Sequence, residues 1–122
     1  MSRTILVVDD SGLARRGTRR ILEGAGYTIL EAEDGMAALE RYFVDKPDLV
    51  LLDLVMKGMY GIDVLTKLRA LDAAARVIVL SADIQTSSRD MVTAAGATAF
   101  LNKPVAADDL VAAVRAALGE SA

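Results

Sequence analysis

Five short apolar runs alternate along this chain with longer segments of helical character. The runs are TILVV (4–8), YTILEA (27–32), DLVLLDL (48–54), RVIVLS (76–81) and AFLN (99–102). Their brevity and β-branched content mark buried strands. Between them, apolar residues recur at spacings of three and four, the period of a helix packed along one side. Five strands alternating with five helices leave few solutions. The pattern predicts an α/β fold, a doubly wound parallel sheet with right-handed crossovers and helices on both faces.

The helices are expected from about 13 to 25, 35 to 44, 62 to 71, 88 to 95 and 108 to 118. Ser11 or Asp10 can cap the first and Asp34 the second. Gly24 and Gly26, Pro47, Gly96 and Gly119 stand where helices should stop. Leu13, Ile21, Leu22 and Ala25 are expected to face the core from the first helix. From the second, the expected face is Met36, Leu39, Tyr42 and Phe43, and from the third Val64, Leu65 and Leu68. Gly17 interrupts the first helix at a cost of about 1 kcal/mol relative to Ala. Close packing on the sheet would be one reason for it.

The 122 residues are expected to form one domain, 1–122. Hydrophobic residues make up 53%, so a core is available, but aromatics reach only 4% and Trp is absent. Leu, Val, Ile and Ala must therefore fill the core, as in a sheet buried on both faces. A net charge of −3 argues against non-specific nucleic-acid binding, despite a local cluster of Arg15, Arg16, Arg19 and Arg20. No apolar run approaches a membrane span, and the one in MSRTILVVDD is too short for a secretory signal. The expected location is the cytoplasm. Cys and His are both absent, which removes disulfides, thiol nucleophiles, imidazole bases and typical zinc sites. Any metal must then be held by oxygen, which favours Mg²⁺, Ca²⁺ or Mn²⁺.

Ligands of open parallel sheets bind outside the carboxyl ends of the strands. Asp9 and Asp10 follow the first strand, Asp53 ends the third, Ser81 the fourth, and Asn102 and Lys103 the fifth. The second ends less tellingly, near Glu31-Ala32-Glu33. Any one of these residues could simply terminate a strand. Together they bring three carboxylates, a hydroxyl and an ammonium to one edge. Clustered carboxylates repel one another, a divalent cation relieves that repulsion, and the loaded pocket attracts a phosphate dianion. Lys103 and Ser81 could bind phosphoryl oxygens, and an Asp carboxylate can itself accept a phosphoryl group. No Walker A or GxGxxG pattern points to a nucleotide.

The motifs ILVVDD (5–10), LLDLVMKGMYG (51–61), VLSAD (79–83) and GATAFLNKP (96–104), in this order and spacing, make the chain resemble a known family. It is similar to the receiver domain of two-component response regulators, in the stand-alone CheY-like form, from Ile5 to Leu118. The resemblance implies a flavodoxin-like sheet in the order 2-1-3-4-5. It implies Mg²⁺, with Mn²⁺ as a substitute, on Asp9, Asp10, Asp53 and the backbone carbonyl of Val55. Asp53 would be the phosphoacceptor, with Ser81 and Lys103 contacting the phosphoryl group. Phe100 would be the aromatic that turns inward on activation, and the Lys103–Pro104 peptide would be cis.

The function so implied is a phosphorylation-dependent signalling switch, not an enzyme beyond Mg²⁺-dependent phosphorylation and dephosphorylation of itself. A histidine kinase or histidine phosphotransfer domain would supply the phosphoryl group. The face formed by the fourth helix, fifth strand and fifth helix would then change its binding to a downstream protein target, with homodimerisation on activation a further mode. No membrane and no direct nucleic-acid contact is expected. The alternative is an amino-terminal receiver fragment of a longer regulator with a separate output domain.

Some positions depart from the family pattern. Lys57 replaces the usual proline four residues after the phosphoacceptor. Val55 and Asp83 occupy positions that tune phosphoryl lifetime, and Val55 offers no polar side chain to orient a hydrolytic water, so a lifetime of minutes or longer is expected. Arg15, Arg16 and Arg19 are either a solvated helix face or a docking surface for an acidic kinase or phosphotransfer partner. The alanine-rich last helix is either plain core or a flat apolar surface. Two rival classes remain. A phosphatase with an aspartyl nucleophile would want an aspartate where Val55 stands. A pseudo-receiver would lack the full set Asp9, Asp10, Asp53, Ser81 and Lys103.

Overall fold

Side-chain parity along the strands builds two cores, one on each face of a single sheet. The computed structural model describes residues 3–54, 60–82 and 86–120. The elements run β1 (Thr4–Val8), α1 (Gly12–Gly24), β2 (Thr28–Ala32), α2 (Gly35–Asp45), β3 (Leu49–Asp53), α3 (Gly61–Leu71), β4 (Val77–Ser81), α4 (Thr86–Ala94), β5 (Ala99–Asn102) and α5 (Ala107–Ala117). All pairings are parallel and the strand order is β2-β1-β3-β4-β5.

Ile5, Val7, Leu49, Leu51, Ile78 and Leu80 meet Leu22 of α1 and Leu110 and Val114 of α5. Their neighbours Leu6, Val8, Val50, Leu52, Val77 and Val79 meet Ala38 and Tyr42 of α2, Val64, Leu65 and Leu68 of α3, and Val92 of α4. Successive strand side chains point to opposite faces, so a strand apolar at every position needs helices on both. Truncating a buried Leu such as Leu52 to Ala would cost roughly 2–5 kcal/mol.

The helix boundaries follow local chemistry. Ser11, not Asp10, caps α1, its hydroxyl accepting from the Ala14 N–H at 3.2 Å. The Asp34 carboxylate caps α2 by accepting from the Ala37 N–H at 2.8 Å. Lys46 closes α2 in the left-handed region with φ 47°, and Pro47 prevents continuation.

Three residues expected in the core lie outside it. Leu13 is 77% exposed, because it sits in the first turn of α1, while the inward stripe runs through Ala14, Thr18, Ile21 and Leu22. Met36 and Phe43 are 67% and 69% exposed. The buried stripe of α2 is Gly35, Ala38 and Tyr42, with Ala37 and Leu39 beside it. Small residues bring this helix close to the sheet, and a reading that weighted large side chains chose the wrong face. Gly17 is exposed, with no atom within 4 Å of where a Cβ would stand, so close packing does not account for it. Nothing in the structure explains that glycine. Among the described residues, no helix is long and apolar enough to cross a membrane.

Candidate functional site

The parallel register places the strand ends side by side. Asp53 stands opposite Leu80, and Ser81 opposite Asn102. Backbone bonds then carry the ladder past the strands: the Leu54 N–H donates to the Leu80 carbonyl at 2.9 Å and the Lys103 N–H to the Ser81 carbonyl at 2.8 Å. Each polar side chain therefore leaves a backbone already fixed by its neighbours.

Asp9 is buried, 7% exposed. Its backbone N–H donates to the Ala32 carbonyl at 3.2 Å. Its carboxylate accepts from the Ser11 N–H at 2.9 Å and from the Lys103 ammonium at 3.1 Å. The same ammonium lies 3.5 Å from Asp53 Oδ2. Asp9, Asp10 and Asp53 each present a carboxylate oxygen within 4.8 Å of the others. Carboxylates gathered this closely repel one another, and the Lys103 ammonium offsets part of that repulsion. The donor set is all oxygen, and an Mg²⁺ ion with ligands at about 2.1 Å suits such a spacing. Behind Asp9 and Lys103, a cavity of about 360 Å³ is walled by Val7, Leu51, Leu80, Ile21 and Val105.

The other expected residues take different places. Ser81 is 1% exposed at the end of β4. Phe100 lies on β5, part-buried against the core shared by α2, α3 and α4, with the Arg89 guanidinium 5.2 Å from its ring centroid. It is not at the acidic cluster itself. The Lys103–Pro104 peptide is cis. Val55, Lys57 and Asp83 lie outside the described residues.

Arg15 and Arg19 are not simple surface cations. Arg15 Nε donates to Glu31 at 3.1 Å and Arg19 Nη1 donates to its other oxygen at 2.8 Å. Arg15 Nη1 also donates to the Asp9 backbone carbonyl. Hydrogen bonds from Arg19 and then Arg15 hold the Glu31 carboxyl below the usual range, although burial opposes them. Arg16 and Arg20 are exposed on the same helix.

Two residues here were not anticipated. Glu31 ends the strand that directly follows the arginine-bearing helix, and that acid beside four arginines is the signal in the sequence. Gly61 stands one residue before the expected start of the third helix. A Cβ there would stand 2.6 Å from the Asp53 carbonyl and 2.7 Å from Leu54 Cα. Only glycine lets α3 start against the end of β3.

The sequence profile of the response regulator receiver domain matches residues 5–115. The chain is 41% identical over 118 residues to response regulator MprA of Mycobacterium ulcerans, a match covering 97% of this chain and 51% of that protein. It is 39% identical over 119 residues to chemotaxis protein CheY of Bacillus subtilis, covering 97% and 99%. Thus the chain spans about half the length of the MprA relatives and nearly all of CheY. A solved CheX–CheY–BeF3–Mg²⁺ complex from Borrelia burgdorferi contains a chain that superposes with a TM-score of 0.89 at 30% identity, over 93% of this chain and 87% of that one. Acid pair, strand-end aspartate and strand-end lysine converge in a five-stranded 2-1-3-4-5 sheet, and sequence and fold agree with that geometry: the chain belongs to the response regulator receiver domain family.

Proposed function

We propose that this receiver domain is a phosphorylation-controlled switch with Asp53 as its phosphoacceptor. The observation that carries the reading is the convergence of Asp9, Asp10 and Asp53 within 4.8 Å beside the Lys103 ammonium. In the proposed step, an Asp53 carboxylate oxygen attacks phosphorus as the bond to a donor histidine nitrogen breaks, and the electron pair leaves with the imidazole. The donor is a histidine kinase or a histidine phosphotransfer domain. Mg²⁺ held by Asp9, Asp10 and Asp53 would supply charge neutralisation at the phosphoryl oxygens. Lys103 offers a fixed cation on the same side, and Ser81 a hydroxyl for the product phosphoryl.

The output is a population shift of the α4–β5–α5 face, with Phe100 as its moving aromatic. That face would bind a downstream protein, an output domain on the same polypeptide or a second copy of the chain. The match to half of MprA supports the receiver-plus-output arrangement, and the match to nearly all of CheY the stand-alone one. The domain would act in the cytoplasm and turn over no substrate besides its own acyl phosphate.

Acetyl phosphate with Mg²⁺ tests the assignment. Wild type should gain the mass of one phosphoryl group, while Asp53→Asn should gain none. A gain that survives in Asp53→Asn, or no gain in wild type, sinks the reading.

A further inference from the structure

Arg15 joins two parts of the site that the sequence keeps apart. Its guanidinium bonds the Glu31 carboxylate on β2 and the backbone carbonyl of Asp9 after β1. Glu31 is aimed by its strand: it pairs with Val7, two residues before Asp9. Arg15 itself is aimed by α1, whose cap residue Ser11 donates its own N–H to the Asp9 carboxylate. A closed loop of contacts thus runs from β2 through Arg15 to the Asp9 carbonyl and back through Asp9 N–H to Ala32, the neighbour of Glu31.

The Asp9 carbonyl belongs to the peptide that links Asp9 to Asp10. That unit is planar, so holding its oxygen sets the plane from which the Asp10 Cα and side chain depart. From this geometry we infer that Arg15, held by Glu31, is a positioning residue that sets the Asp9–Asp10 pair for a divalent cation. The inference rests on the proposed Mg²⁺-dependent chemistry at Asp53 and assigns Arg15 a role other than docking.

Charge and position predict opposite signs. As a mere nearby cation, Arg15 repels Mg²⁺, so its removal should tighten binding. As a positioning residue, its removal should weaken binding. Lys keeps the charge but has no planar fork to span Glu31 and the carbonyl together. Isothermal titration of the full chain with MgCl₂ reads this directly. Arg15→Ala and Arg15→Lys should each weaken Mg²⁺ about tenfold, as for outer-shell partners of metal ligands. Arg20→Ala, the same charge change on the exposed face of α1, should change it less than about twofold. Phosphorylation by acetyl phosphate in the Arg15 variants should need more Mg²⁺ yet reach the wild-type maximal rate at saturation. A general structural defect would lower that maximum instead.

Unchanged or tighter Mg²⁺ binding in Arg15→Ala, wild-type binding in Arg15→Lys, or equal weakening in Arg20→Ala each overturns the inference. If Arg15→Ala does not fold, Arg15→Lys decides alone, its folding checked by thermal melting. Should wild type itself bind no Mg²⁺, the inference and the proposed function fall together. Wild-type binding with indifferent Arg15 variants removes the inference only.

Discussion

At the amino ends of the strands, carboxylates meet donors and opposite charges. Asp48 accepts from the Thr4 N–H at 2.8 Å, with Arg3 3.9 Å away. Tyr27 donates to Glu120 at 2.7 Å, and Tyr42 donates to Asp72 at 2.7 Å across the ends of α2 and α3. At the carboxyl ends, three carboxylates lie within 4.8 Å of one another, two of them also against the Lys103 ammonium. One end is arranged for stability. The other holds like charges together, an arrangement that a bound cation and a phosphoryl group would complete. This is the pattern of a site whose local cost is offset by the rest of the fold.

Substitutions that exchange the behaviour of the two ends test the contrast. The largest effect is expected at Gly61. An Ala Cβ meets Asp53 and Leu54 backbone, which cannot rotate away, so Gly61→Ala should cost about 3 kcal/mol in urea unfolding. It should also displace Asp53 and abolish acetyl phosphate labelling. Full stability with full labelling would show that the approach of α3 to β3 is looser than described.

Next comes Tyr42. Burial first, and then its bond to Asp72, push its phenol up to about 12. A phenol whose folded pKa exceeds the unfolded value of about 10 favours the folded state below pH 10. That contribution is lost as pH rises from about 10 to about 12. Tyr42→Phe should cost about 1–2 kcal/mol at pH 7 through the lost charge-assisted bond. It should also flatten the alkaline fall, as read by chemical denaturation at pH 8 to 11. An unchanged alkaline slope would remove Tyr42 as its source.

A smaller effect of opposite sign belongs to the site. Asp10→Asn removes one of the repelling carboxylates and should stabilise the metal-free protein by about 1 kcal/mol. In Mg²⁺ the order should reverse, since the cation loses a ligand while wild type gains binding energy. Thermal melts with EDTA and with MgCl₂ would show the crossing. Destabilisation in both would mean that the carboxyl end is no more strained than the other.

The smallest change belongs to neither end. Gly17→Ala, on an exposed turn of α1 with open space around it, should stabilise by about 0.5–1 kcal/mol. Its melt gives the scale for a helix change without electrostatics. A loss of stability would reveal a constraint on α1 that the packing does not show.

The strands and their polar ends were legible in the sequence, because short continuous apolar runs and the residues that end them are local properties. The five β elements lie within a residue of their expected bounds, and Asp9, Asp10, Asp53 and Lys103 meet where the topology brings them. Which side of α2 faces inward was not legible. Met36 and Phe43 share a helical spacing as good as that of Gly35, Ala38 and Tyr42, and the choice lies with the sheet beneath. Gly61 was equally silent, since a tight approach to Asp53 is a contact between two elements.

By itself, then, the sequence determined the element order, the doubly wound class and the chemistry of the strand ends. Hydrophobic period and residue type suffice for these. Only the tertiary structure decided the state of charge around that chemistry. Four arginines in a helix read as one cationic patch until β2 brings Glu31 against Arg15 and Arg19. Pairing between a helix and a strand depends on how the helix seats on the sheet, and only the packed fold fixes that.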